Sequence, residues 1–378
     1  MSDMPALENK KTFRKKNTNP VDYTFLVLVL ALVVYGLIMV FSASTASAYY
    51  IHGDALYFFK RQFAWALLGL VLMYVLSHVK YKLWYKYAVA VIGIAIALLL
   101  LVMLVGKSIN GAKRWIGVGP LTIQPSEIAK FALVVYMARR LNHDHTILSS
   151  FKKGFFPNLL VVCVVSGLVI IEPHLSGAVV IMCVGLAMLF ISGADIKHFL
   201  KLMIPLLAGV AILIIAEPYR MKRFVSFLDP FEDASGAGYQ VVQSLYAIGS
   251  GGLFGLGLGR SRQKFLYIPE PQNDFIFSIL CEELGFFGAL LMIILFALLI
   301  WRGIKIAMSS PDMFSALTVC GVMAIIAIQV ILNIAVVTSS CPCTGITLPF
   351  FSAGGTSLCI LLAQMGVVLN ISRYSKKK

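Results

Sequence analysis

The sequence predicts an all-α integral membrane protein of ten transmembrane helices with both termini in the cytoplasm. Three observations carry this. The chain is 59% hydrophobic and 13% charged, against about 45–50% apolar residues in an average soluble domain. Its apolar residues gather into runs close to the ~20 needed to cross the hydrocarbon of a bilayer. Its Lys and Arg residues collect on one side of those runs, as the positive-inside bias requires.

The runs fall near 21–43, 62–78, 86–105, 126–139, 157–172, 175–193, 199–216, 274–300, 314–338 and 355–372. The fourth is short and contains Glu127 and Lys130. With the N-terminus inside, the inner clusters are Lys10, Lys11, Arg14, Lys15 and Lys16, then Lys80, Lys82 and Lys86, then Arg139, Arg140, Lys152 and Lys153. Lys197 and Lys201, Arg302 and Lys305, and Arg373 with the C-terminal lysines complete them. The organisation expected is a cytoplasmic tail at 1–19, one transmembrane domain at 20–373 with a large outer loop at 217–273 between helices seven and eight, and a basic tail at 374–378. Residues 1–19 are polar and basic, so no cleavable signal peptide is expected.

Some bases oppose the bias. Lys60, Arg61, Lys107, Lys113, Arg114, Arg220, Lys222, Arg223, Arg260, Arg262 and Lys264 are assigned outside. Such a cationic face suits an anionic ligand, phosphate or pyrophosphate, unless the outer acids pair with it.

The most informative carboxylate is Asp274, in YIPEPQNDFIFSILCEELGFFGALLMIILFALLIW, where a polar loop becomes an apolar helix. A carboxylate at that boundary reaches both water and lipid and is functional by default. The competing reading is a helix N-cap. Glu282 lies about 12 Å further along that helix and about 80° around it from Asp274, closer to the same face than Glu283.

Three other outer segments hold unusual residues. In GKSINGAKRWIGVGPLTIQPSEIAKFAL, Lys113, Arg114 and Trp115 form a cation-plus-aromatic group, and Glu127 and Lys130 share a helix face at i, i+3. The pair is either structural or available to substrate. In IIEPHLSGAVV, Glu172 and His174 read as a connection between spans. In SSCPCTGITLPFFSAGGTSLCI, Ser352, Gly354, Gly355 and Thr356 either donate to an anion at a helix N-terminus or allow close helix packing. Within 217–273 a short amphipathic helix is expected at 239–248, before a Gly-rich turn.

The seven cysteines and six histidines show no ligand spacing apart from the His143/His145 pair, and no nucleotide fingerprint is present. Nucleotide, haem and zinc chemistry are therefore not expected, nor is a nucleic-acid partner. A divalent cation, Mg or Mn, is the one cofactor left open, with no carboxylate cluster to specify its site.

GLIMVFSAS at 36–44, FFKRQ at 58–62, NGAKRWI at 110–116, QPSEIAK at 124–130, DPFED with GAGYQ and QSLYAIGSGGLFGLGLG at 229–259, PEPQNDFIFSILCEELG at 269–285 and LPFFSAGGTS at 348–357 resemble the SEDS family of cell-wall polymerases. The wording is similar to the FtsW/SpoVE branch rather than RodA. EPHLSG at 172–177 departs from it, since the family more often has an acid in place of His174.

The resemblance implies a peptidoglycan glycosyltransferase that polymerises lipid II outside the cytoplasmic membrane, in cell division or sporulation. It implies Asp274 as catalytic base, with Lys113, Arg114, Lys130, Arg220 and Arg223 on the leaving pyrophosphate; the residue pattern adds Trp115, Glu127 and Glu282 as substrate-binding candidates. It also implies a class B penicillin-binding protein as partner, among other division or sporulation membrane proteins. The alternatives are a lipid II flippase and a scaffold that recruits the penicillin-binding protein.

Overall fold

The computed structural model describes residues 19–109, 112–118, 121–142, 146–172, 174–216, 218–234, 236, 238–342 and 345–375. His143, His145, Glu217 and Cys343 lie outside the described residues, as does the side chain of Arg220.

Helix α1 (Tyr23–His52) begins where Asp22 accepts the Phe25 N–H at 2.9 Å, and it stops at Gly53, whose φ of 68° leaves the helix region. Helices α2 (Tyr57–His78) and α3 (Lys82–Val105) follow. Next come three short strands, β1 (Lys107–Ile109), β2 (Ala112–Val118) and β3 (Leu121–Ile123), paired antiparallel in the order β1-β2-β3. Pro125 opens α4 (Pro125–Leu141), a position where its missing N–H costs nothing. A π-helical turn runs into α5 (Phe156–Ile171), followed by α6 (Leu175–Ile191) and α7 (Ile196–Ile215). The remaining helices are α8 (Pro218–Leu228), α9 (Tyr239–Gly251), α10 (Ile276–Met308), α11 (Met313–Val337) and α12 (Gly355–Ser372).

Helices occupy each expected span position, and among the described residues seven are long and apolar enough to cross a membrane: α1, α2, α3, the run Phe151–Ile171, α10, α11 and α12. Helix α6 is apolar with 17 residues, α4 has 17 and carries Glu127 and Lys130, and α7 contains Pro205. Two expectations need correction. The chain is not all-α, because the α3–α4 connection is a three-stranded sheet. The segment 217–273 holds two helices, the expected amphipathic α9 and an unanticipated basic α8.

Helix α4 is enclosed on nearly all sides, packed against α3, α5, α6, α11 and α12. Helix α12 lies along α2, where Gly69 lets the backbones close to a distance at which an added Cβ would stand 3.1 Å from Cys359 Cα. At one end of the bundle, Asn19 donates its N–H to the Arg373 carbonyl at 2.9 Å and Arg302 pairs with Asp22 at 2.8 Å. There too, the Tyr81 hydroxyl donates to Asp312 at 2.7 Å and the Tyr81 N–H to Asn370 at 3.0 Å. Both described termini therefore meet the α2–α3 and α10–α11 turns at the end opposite Asp274.

Helix α10 is two helices in series, broken at Gly285 with φ 66° and ψ −164°. The break leaves backbone groups that the loop after α9 satisfies. Leu256 and Gly257 donate to the carbonyls of Glu282 and Glu283 at 2.9 and 3.0 Å, while Phe286 and Phe287 donate to Gly252 and Leu253 at 2.9 and 3.2 Å. A Cβ on Gly285 would overlap the backbone nitrogen of Gly255, so the crossing requires glycine.

Candidate active site around Asp274

Asp274 is not a helix cap. Helix α10 begins at Ile276 with Phe275 at the N-cap and no side-chain cap bond. The backbone of Asp274 is instead held from below: Asn333 of α11 donates to the Asp274 carbonyl at 2.8 Å and to the Ile346 carbonyl at 2.6 Å. One residue earlier, Ser352 donates to the Asn273 carbonyl at 2.7 Å while accepting the Leu348 N–H at 2.7 Å. One residue earlier again, Ala353 donates to the Gln272 carbonyl at 2.8 Å. The loop before α12 thus supports the three residues that present the carboxylate. Gly345, at φ 71°, comes so close that a Cβ there would stand 3.0 Å from Asp274 Oδ2.

The electrostatics around this carboxylate are divided. Burial pushes Asp274 up to about 6, Glu270 adds to that, and Arg223 and Arg114 pull against it. The carboxyl is therefore mostly ionised at neutral pH and still able to accept a proton. Arg114 acts on it through space from β2, where strand alternation puts Lys113 and Trp115 on one face and Arg114 on the other. Lys113 is exposed, and Arg114 is half-buried.

The turn between α5 and α6 meets the same guanidinium. Burial pushes Glu172 up to about 8 against the pull of Arg114. Burial also takes His174 down to about 3, helped by Arg114 and then Lys130. Near pH 7 both groups are therefore mostly neutral, so Glu172 adds little negative charge, and His174 little positive charge, beside Arg114. His174 Nε2 lies 3.2 Å from Gln124 Nε2, which ties the turn to the residue before α4. Sequence reasoning took Glu172 and His174 for a connection. The available signal was an acid and an imidazole flanking a proline between two apolar runs.

Other site residues predicted from the sequence are brought to different places. Lys130 and Glu127 form a buried pair at 2.8 Å, and Glu127 also lines a cavity with Gln329, Ser352, Gly354, Ser357 and Gln364 at the start of α12. Ser352 is a strut under Asn273, and Gly355 is a packing residue where a Cβ would overlap the Trp65 ring. Thr356 is buried in the first turn of α12. Arg223 approaches Asp274 from α8, on which Arg220 also lies.

Both Glu282 oxygens are taken by the loop before Asp274. They accept from Arg262 N–H at 2.9 Å, Gln263 N–H at 3.3 Å and the Ser261 hydroxyl at 2.5 Å. A loop that dips beside the helix takes the face that helical spacing assigned to the site. Among the described residues no group of three or more His, Cys, Asp or Glu side chains converges on a metal-sized site.

The profile of the FtsW/RodA/SpoVE family, described as cell cycle proteins, matches residues 23–377. Stage V sporulation protein E of Bacillus subtilis (strain 168) is 46% identical over 363 residues, covering 96% of this chain and 99% of that protein. A probable peptidoglycan glycosyltransferase FtsW of Geobacter sp. (strain M18) is 39% identical over 354 residues, covering 93% and 96%. Among solved structures, a chain from a peptidoglycan synthase complex that coordinates polymerization and crosslinking is similar with a TM-score of 0.80 at 31% identity, covering 95% and 99%. The rod shape determining protein RodA of Thermus thermophilus gives a TM-score of 0.69 at 28% identity, covering 95% and 98%. A match over nearly the whole chain means that this protein belongs to the FtsW/RodA/SpoVE family.

Proposed function

We propose that this chain is a peptidoglycan glycosyltransferase that polymerises lipid II at the outer face of the cytoplasmic membrane, for the division septum or for sporulation. The observation that carries the reading is Asp274: an uncapping carboxylate pushed up to about 6, beside Arg114 and Arg223, where a polar loop enters an apolar helix. The names of the curated relatives support the same activity.

In this reading Asp274 accepts the proton of a sugar 4-hydroxyl, and the hydroxyl oxygen forms a bond to C1 of a second lipid-linked disaccharide. The C1–O bond to the lipid diphosphate breaks, and its electron pair leaves with the diphosphate. Arg114 and Arg223 stabilise the charge that develops on that leaving group, with Lys130, held by Glu127, as the third cation assigned to it. Glu172, pushed up to about 8, is mostly protonated near pH 7 and adds little negative charge beside Arg114. Mg or Mn would enter on the substrate's own phosphates, as such ions commonly do. A single-span class B penicillin-binding protein is the proposed partner, supported by the synthase complex that this fold is similar to.

The experiment is purified full-length chain supplied with labelled lipid II and scored for glycan strands. The wild type is expected to make them and Asp274→Asn is not. Strands of equal yield from the Asn variant would remove Asp274 as the base.

A further inference from the structure

After α9 the chain descends beside the first segment of α10 rather than crossing the surface, and both limbs of that descent are fastened to the helix. The descending limb exchanges backbone hydrogen bonds with the Gly285 break, and the returning limb is gripped by the Glu282 carboxylate. The grip ends in an ion pair. Lys264 Nζ stands 2.8 Å from Glu283 Oε1 and donates to Ser42 Oγ of α1 at 3.2 Å, and Ser42 donates to Glu283 at 2.7 Å. The side chains of Lys264 and Glu283 are 4% and 0% exposed.

This pair closes a loop of chain that starts at Lys264 and ends at Glu283, with Asp274 midway. On one side of Asp274 lies a single short helix; on the other lies the segment 265–273. That segment contains Leu266 at φ 67° and Glu270 at φ 48°, left-handed conformations that non-glycine residues hold only when their surroundings enforce them. Its far end is fixed by Ala353, Ser352 and Asn333, and its near end by Lys264. A buried ion pair is a weak source of stability, because apolar or neutral replacements of similar volume fold as well or better. Its use here, at the closure of the loop that presents Asp274, points to geometry.

We propose that Lys264 is a positioning residue, which with Glu283 and Ser42 sets the height at which the 265–273 segment delivers Asp274 to its site. The proposal rests on the glycosyltransferase reading. Asp274 feels Arg223, Arg114 and Glu270 through space, so a displaced carboxylate changes both its reactivity and the pH at which it takes up a proton.

The test uses the full chain with lipid II and the double variant Lys264→Met with Glu283→Gln, which removes both charges and leaves neither buried alone. The expected result is a melting temperature at or above wild type, kcat lower by about 10–100-fold, and KM within about twofold. The acid limb of kcat/KM should move by about half a pH unit or more. Wild-type kcat with an unmoved limb overturns the proposal. So does a loss that only follows the loss of folded protein while the limb stays in place. If the double variant does not accumulate, Lys264→Arg is read by the same criteria, since it keeps the charge and changes the reach. Absence of glycan strands from the wild type would instead fault the reading of function.

Discussion

At the scale of single residues, Asp274 is held where its charge is expensive, and two measurable consequences follow. As the base it must be ionised, so kcat/KM should fall as pH drops through about 6. Asp274→Asn should lower strand synthesis by roughly 10²–10⁴-fold. The same variant should raise the melting temperature at pH 7.5. The folded-state value lies above the ordinary 3.8, so the favourable contribution of Asp274 is complete below 3.8 and is lost as pH rises through about 6. The melting difference between the two proteins should therefore shrink toward pH 4. Glu172 predicts the other limb. Above about 8 it ionises beside Arg114 and competes for that guanidinium, so activity should decline there. Glu172→Gln should flatten that alkaline limb and leave the acid limb in place. Lys130 needs a paired test, because Lys130→Met strands Glu127 in the bundle. Adding Glu127→Gln should restore folding, judged by melting, without restoring activity if Lys130 acts on substrate.

Among the elements, the α10 break and the α9–α10 loop are one device. A helix that carries a carboxylate just ahead of its first turn can be aimed independently of its membrane-spanning part when a glycine separates the two. Gly285→Ala combines an unfavourable φ with overlap of the Gly255 backbone, and should cost at least about 2 kcal/mol in stability. Gly53→Ala is the control. Its φ of 68° is similar, but an added Cβ meets nothing within 4 Å, so about 1 kcal/mol is expected. Thermal melts of the two variants side by side separate conformational strain from steric crossing. Equal melting temperatures would show that the loop does not hold the break.

For the whole molecule, both described termini converge at the end opposite Asp274, so the positive-inside expectation predicts that the Asp274 end faces outside. A cysteine introduced at Lys113 should react with a membrane-impermeant maleimide on intact cells, above the signal of the unsubstituted chain. One at Lys82 should react only after permeabilisation. The reverse pattern would put the Asp274 end in the cytoplasm. Partner dependence is also a property of this scale. Strand synthesis by the isolated chain should be low and should rise severalfold with its cognate class B penicillin-binding protein, because a partner that prefers the competent conformation raises its population. Equal rates with and without it, at saturating lipid II, would leave co-localisation alone.

The membrane class, the positions of the spans, the unusual status of Asp274 and the family resemblance are all carried by local sequence. Apolar run length, the Lys and Arg bias and ordered motifs need no three-dimensional information. Helical spacing also pairs Glu127 with Lys130 correctly, since both lie on one continuous helix. The same arithmetic misplaces Glu282, because the face it occupies is taken by Ser261, Arg262 and Gln263, about twenty residues earlier in the chain. The sheet after α3 and the strut role of Ser352 were hidden for a similar reason: each is defined by hydrogen bonds to partners outside its own helical period. Tertiary structure alone decided which outer bases face Asp274. Arg114 and Arg223 approach it, while Lys264 is buried against Glu283 and Lys60 is paired with Asp54. Charge type is written in the sequence, but the field at one carboxylate depends on distances that only the packed bundle sets.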